Sequence, residues 1–331
     1  MVSFIMVLAF DMTKNDNLAV YWEQDSAGNQ QQSSTYCADD TINNVVLAFL
    51  YIFNGTGGQQ VIDFANVSAM LLSATNGTMM FSSSKMFIHG ITNRGLPGQG
   101  KDPLSLVGAT GQVGFSSDSV AQCFADKIWN EFLGGSSSTW PFGSAVLDGV
   151  DLDIESGSPV HYAAFVIKVK SHASSASNTY YATAAPQCPF PANIGAALNA
   201  APFDAVYTMR ITDNNYSSIS LADDWARSGS ANPDIKVYIG AAANSKSAGE
   251  GYVGISTLKE YARSAQDTYD SFEGLMLWDA SEAYKYYDKA IKSAMTANAA
   301  ISRLLDTKIS NQARARAPAE HPRRVEMPRL D

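Results

Sequence analysis

The sequence contains little cysteine and few basic residues. Only three cysteines, Cys37, Cys123 and Cys188, occur in 331 residues. Three cysteines can form at most one bridge, which is too few for a disulfide scaffold. No two of them have the spacing of a zinc site. Lysine and arginine together number 23 against 32 acidic residues, which gives a formal net charge of -9. We expect no nucleic-acid partner, because the average field of the protein repels a polyanion.

Histidine is also scarce, and no long hydrophobic run is present. The four histidines have no metal-ligand spacing, so we expect neither a metal nor an organic cofactor. The apolar residues 1–10 are about half of the ~20 residues that a membrane span requires, and we expect no membrane span. We interpret residues 1–16 as an apolar N-terminal segment with a truncated secretory signal.

Four N-glycosylation sequons are present, and they begin at Asn54, Asn66, Asn76 and Asn215. Sequons of this kind are used on surface loops of secreted proteins. Together with the N-terminal segment, they favour an extracellular glycoprotein.

Short apolar runs rich in β-branched residues recur along the chain and predict eight strands. They cover residues 18–22, 45–53, 103–108, 146–154, 180–184, 203–209, 235–240 and 274–278. Helical patterns lie between several of them. In residues 120–133 an apolar residue recurs every four positions from Val120, and Ser119 with Gln122 predicts a capping box. A second helix is predicted over residues 257–266. Strands that alternate with helices indicate a parallel sheet.

The extent of this alternation predicts a single-domain (β/α)8 TIM barrel over residues 17–300. The eight units span residues 17–285, close to the ~250 residues of such a barrel, and we expect Val, Ile and Leu to fill its interior. An open doubly wound sheet is the alternative, but no G-x-G-x-x-G follows the first strand. Residues 60–102 are predicted to form long loops, and residues 301–331 a disordered basic tail.

The most informative segment is residues 148–155, which read D-G-V-D-L-D-I-E. Because side chains alternate between the faces of a strand, Asp151, Asp153 and Glu155 project to one side. Three aligned carboxylates are costly unless they share protons or perform a function. A solvated edge strand and a hard-cation site remain as alternatives, although the spacing is not that of an EF-hand.

The same pattern favours acid catalysis on a glycoside. We expect anionic neighbours to raise the pKa of Glu155, so that it stays protonated at the barrel mouth and acts as the general acid. Asp153 lies about 7 Å along the strand and can reach a substrate group beside the bond that breaks. Asp151 lies deeper and can share a proton with Asp153.

At these residues the sequence resembles the chitinases of glycoside hydrolase family 18, specifically the plant and fungal class III type. Residues 148–155 match the family motif D-G-x-D-x-D-x-E in full, and the resemblance covers about residues 17–285. Supporting matches are Tyr21-Trp22 with Gln24, Ala48-Phe49-Leu50, A-A-P-Q-C-P at 184–189, Phe203-Asp204 and L-W-D-A at 277–280.

The resemblance implies an endochitinase that hydrolyses β-1,4-N-acetylglucosamine linkages with retention, acting on chitin or chito-oligosaccharides. The acetamido oxygen of the substrate attacks its own anomeric carbon, so the enzyme supplies no nucleophile. Glu155 would protonate the glycosidic oxygen, Asp153 would hold the acetamido N–H and Asp151 would tune Asp153. The substrate-binding residues that the resemblance implies are Trp278, as the floor of the pocket, with Gln187, Tyr21 and Phe49.

The sequence departs from the family pattern at three strands. After the sixth strand the family has a tyrosine that binds the acetamido oxygen; here Thr212 or Tyr216 is the best substitute. Glu23 replaces a glycine of the first-strand motif, and Val107 replaces a glycine of the third-strand motif. The missing tyrosine predicts weak turnover with near-normal chitin binding.

Two other functions fit the same residues. One is a catalytically weak or inactive relative that binds chitin or a partner protein through its cleft. The other is an endo-β-N-acetylglucosaminidase that acts on glycoproteins. The intact Glu155 favours the enzyme, whereas the change after the sixth strand favours the binding protein.

Overall fold

Strands and helices alternate throughout the part of the chain that the computed structural model describes. It describes residues 10–22, 24–31, 33–55, 58, 60–64, 67–71, 102–109, 113–138, 140–142, 145–208, 217–248 and 251–316. The strands are β1 Asn17–Trp22, β2 Asn44–Ile52, β3 Val61–Phe64, β4 Val67–Leu71, β5 Pro103–Val107, β6 Gly149–Asp153, β7 Tyr181–Ala184, β8 Ala205–Thr208, β9 Lys236–Ala242 and β10 Phe272–Trp278. The helices are α1 Ser33–Cys37, α2 Asp118–Phe132, α3 Tyr162–Ala173, α4 Gly195–Ala200, α5 Ser217–Ser228, α6 Ile255–Thr268, α7 Ala280–Ala283 and α8 Tyr287–Arg316.

Eight of the strands form a closed parallel barrel. Their order is β1-β2-β5-β6-β7-β8-β9-β10, and β10 pairs with β1 to close the ring. Each of the eight predicted runs overlaps one of these strands, so the predicted single-domain TIM barrel is confirmed. In such a barrel the carboxyl ends of the strands converge on one face, and that face carries the end of β6.

The segment predicted to form long loops contains a β-hairpin instead. Strands β3 and β4 pair with each other antiparallel, and β3 extends the sheet from β2. Ile62 and Phe64 of β3 are buried. Pairing as a strand buries these apolar side chains, whereas a loop would leave them in water. The prediction of loops is therefore wrong for residues 61–71, and residues 72–101 lie outside the described residues.

We had expected the Val, Ile and Leu of the strands to fill the interior of the barrel, and this prediction is wrong. Val150 and Leu152 instead point outward and pack with the helices in the main core. Because the acids at 151 and 153 face inward, alternation turns the aliphatic residues between them to the outside. The described apolar residues of the interior are Ala19, Tyr21, Val46, Ala48, Phe49, Ala185, Ala205, Tyr207, Tyr238 and Met276.

Helix α2 lies where the four-residue repeat predicted it, but its cap differs. The Val120 N–H donates to the hydroxyl of Ser117, which is the N-cap, so the predicted capping box at Ser119 is wrong. Val120 is 45% exposed, whereas Phe124, Ile128 and Phe132 are buried. A helix turns once every 3.6 residues, so side chains four positions apart differ in direction by about 40°. Over successive repeats this difference moves Val120 off the buried face.

The second predicted helix is confirmed as α6, with Leu258, Ala262 and Ala265 buried. Helix α8 differs from the expected tail, because it continues through residues 301–316. That stretch consists largely of strong helix formers, and the first proline follows at Pro318. Residues 317–331 and 1–9 lie outside the described residues. Among the helices that the structure describes, none combines the length and the apolar character of a membrane span.

Candidate active site

The acidic strand β6 begins with a glycine that close packing requires. A Cβ atom on Gly149 would lie 2.0 Å from the carbonyl oxygen of Tyr181 in the neighbouring strand. Strand β6 is in register with β5 on one side and β7 on the other, which places Ser105 and Thr183 beside Asp151. The local sequence therefore fixes how deep each acid lies in the barrel.

Asp151 is completely buried and is held by three hydroxyl groups. Tyr21 Oη and Ser105 Oγ donate to Asp151 Oδ2 at 2.6 and 2.7 Å, and Thr183 Oγ1 donates to Oδ1 at 2.7 Å. Burial raises the pKa of Asp151 above its usual value, and the three hydrogen bonds act in the opposite direction. Asp151 therefore has a fixed position and an environment that supports its charged form.

Asp153 and Glu155 continue the line from Asp151 toward the solvent. Asp153 is buried, and its Oδ1 has no hydrogen-bond partner among the described residues. Burial raises its pKa well above the usual range, the charges of Glu155 and Asp151 add to this, and so does a hydrogen bond to Glu155. Glu155 is partly exposed, and burial raises its pKa too. Because two carboxylates cannot hydrogen-bond to each other without a proton, this contact and the raised pKa values favour one proton on the pair.

These contacts bear on two expectations about the acids. The pKa of Glu155 is raised, as predicted, but partial burial is the cause, and the anionic neighbours raise the pKa of Asp153. Asp153 was expected to share a proton with Asp151, but its hydrogen bond goes to Glu155. Asp151 already accepts hydrogen bonds from three hydroxyl groups.

A cleft of about 390 Å³ opens beside Glu155 on the carboxyl face of the barrel. Of the four predicted substrate-binding residues, Gln187 and Trp278 line it. Small side chains of β9 and the segment after it form another wall. The described lining residues are Glu155, Gln187, Cys188, Gly240, Ala241, Ala242, Ser247, Ala248, Gly251 and Trp278. The volume lies in the range of small-ligand sites, and only Glu155 brings a titratable carboxyl group to it.

Tyr21 and Phe49 lie beneath this cleft and do not line it. Tyr21 is 0% exposed and Phe49 is 7% exposed. The Trp278 ring stacks on Phe49 at 6.0 Å and packs against Tyr21 at 5.4 Å. The prediction that Tyr21 and Phe49 contact substrate is thus corrected. Alternation along a strand predicts which side chains point into the barrel, but not how far below the cleft each of them lies. The two rings support Trp278, and Tyr21 also positions Asp151.

The structure shows a consequence of one of the three sequence departures. Val107 is fully buried and has a backbone φ of 89°, in a region that is strained for a β-branched residue and natural for glycine. The next residue, Gly108, has no room for a Cβ, which would lie 2.7 Å from the Phe49 ring. Glu23, Thr212 and Tyr216 lie outside the described residues.

No disulfide joins the three cysteines. Within the described ranges no three His, Cys, Asp or Glu side chains converge as metal ligands. Asp151 instead accepts hydrogen bonds from the surrounding hydroxyls, and Asp153 contacts Glu155. The arrangement can hold a proton on the Asp153–Glu155 pair and present it to a ligand in the cleft.

Sequence reasoning did not assign a role to Ser105 or Thr183, the two hydroxyls that flank Asp151. Both stand at inward positions of strands next to β6. A search for polar residues in register with the acids, on the neighbouring strands of a parallel barrel, would have found them.

Comparisons with known proteins agree with this geometry. The profile of the family described as glycosyl hydrolases family 18 matches residues 17–300. The chain is 40% identical to Chitinase 2 of Rhizopus oligosporus over 279 residues, which are 81% of this chain and 50% of that protein. It spans about half the length of this protein and of other fungal chitinases that it resembles.

Solved structures of similar fold include both a chitinase and an inhibitor. The ICChI chitinase from Ipomoea carnea has a TM-score of 0.68 and 26% identity, over 84% of this chain and 99% of that one. The xylanase and alpha-amylase inhibitor protein XAIP-II from Scadoxus multiflorus has a TM-score of 0.66 and 27% identity, over 84% and 98%. Overall fold therefore does not separate catalysis from binding, and the acids of the cleft must decide.

Proposed function

The chain belongs to glycosyl hydrolases family 18, and we propose that it is a retaining chitinase that cleaves β-1,4-linked N-acetylglucosamine chains with help from the acetamido group of the substrate. The observation that supports this most strongly is the line of buried acids that ends with Glu155 in the wall of the cleft, where the raised pKa values of Asp153 and Glu155 favour a proton. A binding protein has no need for a buried acid pair that opens on its ligand.

The first step would break the glycosidic bond without an enzyme nucleophile. Glu155 gives its proton to the glycosidic oxygen, while the acetamido carbonyl oxygen attacks the anomeric carbon and the bond to the leaving sugar breaks. The pair then holds no proton, so Asp153 and Glu155 are both anionic opposite the positive charge of the oxazolinium. That positive charge offsets the burial and the repulsion that raise the pKa of Asp153 in the free protein.

In the second step, the Glu155 carboxylate would take a proton from water, whose oxygen attacks the anomeric carbon and reopens the oxazolinium ring. The proton that Glu155 lost to the leaving sugar is thereby restored. Asp151 keeps its position throughout, because Tyr21, Ser105 and Thr183 donate hydrogen bonds to it. Trp278 offers an aromatic face to the apolar face of the sugar ring.

Chromogenic chitotrioside and cellotrioside, assayed together with chitin beads, test this proposal. We expect hydrolysis of chitotrioside and none of cellotrioside, which lacks the acetamido group. Efficient cleavage of cellotrioside would contradict the mechanism. Retention on chitin beads without any turnover would instead identify a binding protein, the second candidate, which the similarity to XAIP-II favours.

We also propose that the protein is secreted and glycosylated, since chitin lies outside the cell membrane. Asn54, which begins one sequon, is exposed, and the sequons at Asn66, Asn76 and Asn215 lie outside the described residues. Protein expressed through a eukaryotic secretory pathway should lose mass on treatment with an N-glycosidase, and Asn54→Gln should reduce that loss. An unchanged mass would refute glycosylation.

A further inference from the structure

We propose that Tyr252 and Tyr286 form an aromatic platform on the rim of the cleft, where they bind sugar units of a chitin chain that extend beyond the catalytic pocket. The inference rests on the proposed function. Tyr286 is 77% exposed, more than any other large apolar side chain among the described residues, and Tyr252 is 39% exposed.

Contacts in the structure join this platform to the cleft. Gly251 lines the cleft, and Tyr252 follows it directly in the chain. The hydroxyl of Tyr287 donates to the carbonyl oxygen of Val253 at 3.2 Å, and Tyr287 is buried. This bond holds the turn that carries Tyr286 against the segment that carries Tyr252, so the two exposed tyrosines lie on segments that contact each other beside the cleft.

The neighbouring aromatic side chains already have partners, which distinguishes them from these two. The Tyr284 ring packs edge-on against Tyr36 at 5.0 Å, and the Lys285 ammonium lies 5.2 Å from its centroid. The segment 284–287 therefore uses its first and last tyrosines for structure and turns Tyr286 outward.

A chitin chain is the occupant that continuity with the cleft favours. A polymer cannot fit within about 390 Å³, so a chain bound at Glu155 must pass over the rim. Tyrosine suits this contact because its ring covers the apolar face of a pyranose while its hydroxyl meets water and sugar hydroxyls. A single exposed aromatic residue is ordinary, but two on the rim of a saccharide cleft offer successive stacking faces.

The double variant Tyr252→Ala/Tyr286→Ala tests the platform through two substrates. Chitin beads engage both cleft and rim, whereas chromogenic chitotrioside engages the cleft alone. We expect the dissociation constant for beads to rise about tenfold, and the ratio of bead hydrolysis to chitotrioside hydrolysis to fall by a similar factor. Tyr286→Trp, which keeps an aromatic face, should retain wild-type binding. Leu221→Ala is the matched control, because Leu221 is 54% exposed on α5 and far from the rim in sequence.

Bead binding that is unchanged in the double variant would overturn the platform, even if hydrolysis itself is confirmed. A dimer that dissociates when Tyr286 is replaced would also overturn it, because the surface would then serve a second copy of the chain. Tyrosine-dependent bead binding without hydrolysis would support the platform while refuting the chitinase. Absence of both bead binding and hydrolysis in the wild type would refute both proposals.

Discussion

The two ends of the barrel both bury ionisable groups, and they differ in access. At the carboxyl end, Asp151, Asp153 and Glu155 lead from complete burial to an open cleft of about 390 Å³. At the amino end, Glu273 and Lys292 are enclosed, with 0% and 4% of their surfaces exposed. Burial raises the pKa of Glu273 to about 8 and lowers that of Lys292 to about 8. Perturbed pKa values thus occur at both ends, but of these groups it is Glu155 that lines an open cleft.

The partners of the enclosed groups show what they do instead. Asn17 Nδ2 donates to Glu273 Oε1 at 2.8 Å. Lys292, on helix α8, donates to the backbone carbonyl of Asp16 and, at 3.0 Å, to Asn43 Oδ1. Asp16 and Asn43 immediately precede strands β1 and β2. The lysine therefore holds the last helix against the start of the barrel. Its role is structural, whereas we assign the Asp153–Glu155 pair a chemical role.

The largest effect in this comparison should come from Asp153→Asn. Asparagine keeps the shape but cannot become the anion that faces the oxazolinium, so kcat on chitotrioside should fall about 10²–10³-fold while KM changes little. The melting temperature should stay within a few degrees of wild type. Turnover within tenfold of wild type would show that Asp153 does not act on the reaction.

Lys292→Met should produce the largest effect at the amino end, and on stability. It leaves the Asp16 carbonyl and Asn43 Oδ1 buried without this donor, which costs roughly 3 kcal/mol. Urea unfolding measures the loss. Lys289→Met is the control on the same helix, because Lys289 is 55% exposed and 3.8 Å from Asp39, and it should cost under about 1 kcal/mol. Equal losses for the two variants would contradict the assignment.

The pH dependence of stability should change in Glu273→Gln. Because the pKa of Glu273 is raised from 4.5 to about 8 on folding, the folded state keeps a proton that the unfolded chain loses, and wild-type stability falls as pH rises through this window. The glutamine variant lacks that loss, so its stability relative to wild type should increase by roughly 3 kcal/mol from pH 5 to 8. Parallel stability curves would show that Glu273 is not protonated in the folded protein. Lys292 contributes the opposite slope above pH 8, because its folded pKa of about 8 lies below 10.5.

The smallest effect concerns Val107 at the carboxyl end. Val107→Ala loses buried methyl groups and keeps the unfavourable φ of 89°, whereas Val107→Gly relieves the backbone. We expect the glycine variant to be more stable than the alanine variant by about 1 kcal/mol, the reverse of the usual order within a strand. Thermal unfolding of the two variants tests this expectation. A higher melting temperature for the alanine variant than for the glycine variant would contradict the claim that the φ of residue 107 is strained.

Much of the fold was predictable, because periodicity reports it directly. The eight apolar runs predicted the barrel strands, and alternation in residues 148–155 placed three carboxylates on one side. The hairpin β3–β4 was missed because its strands are short and lie in a Ser- and Gly-rich region. The end of α8 was missed because charge asymmetry was taken as a sign of disorder, although residues 301–316 favour helix.

The sequence predicted which acids line up on β6, but not how deeply each one lies in the barrel. The motif named Asp151, Asp153 and Glu155, and the cleft contains Glu155 with Gln187 and Trp278. Which acid shares the proton depends on how many hydroxyls surround Asp151, and those come from three different strands. Only the register of the closed barrel brings them together.

The most direct test of the difference between the two ends is to measure chitotrioside hydrolysis by Glu155→Gln and Glu273→Gln under identical conditions. Both variants replace a carboxyl group whose pKa is raised by burial with an amide of the same shape. We predict that Glu155→Gln lowers kcat/KM by at least ~10²-fold, because the general acid is lost, while Glu273→Gln stays within about threefold of wild type. Comparable losses in the two variants, or survival of activity in Glu155→Gln, would contradict the claim that access to the cleft makes Glu155 the acid.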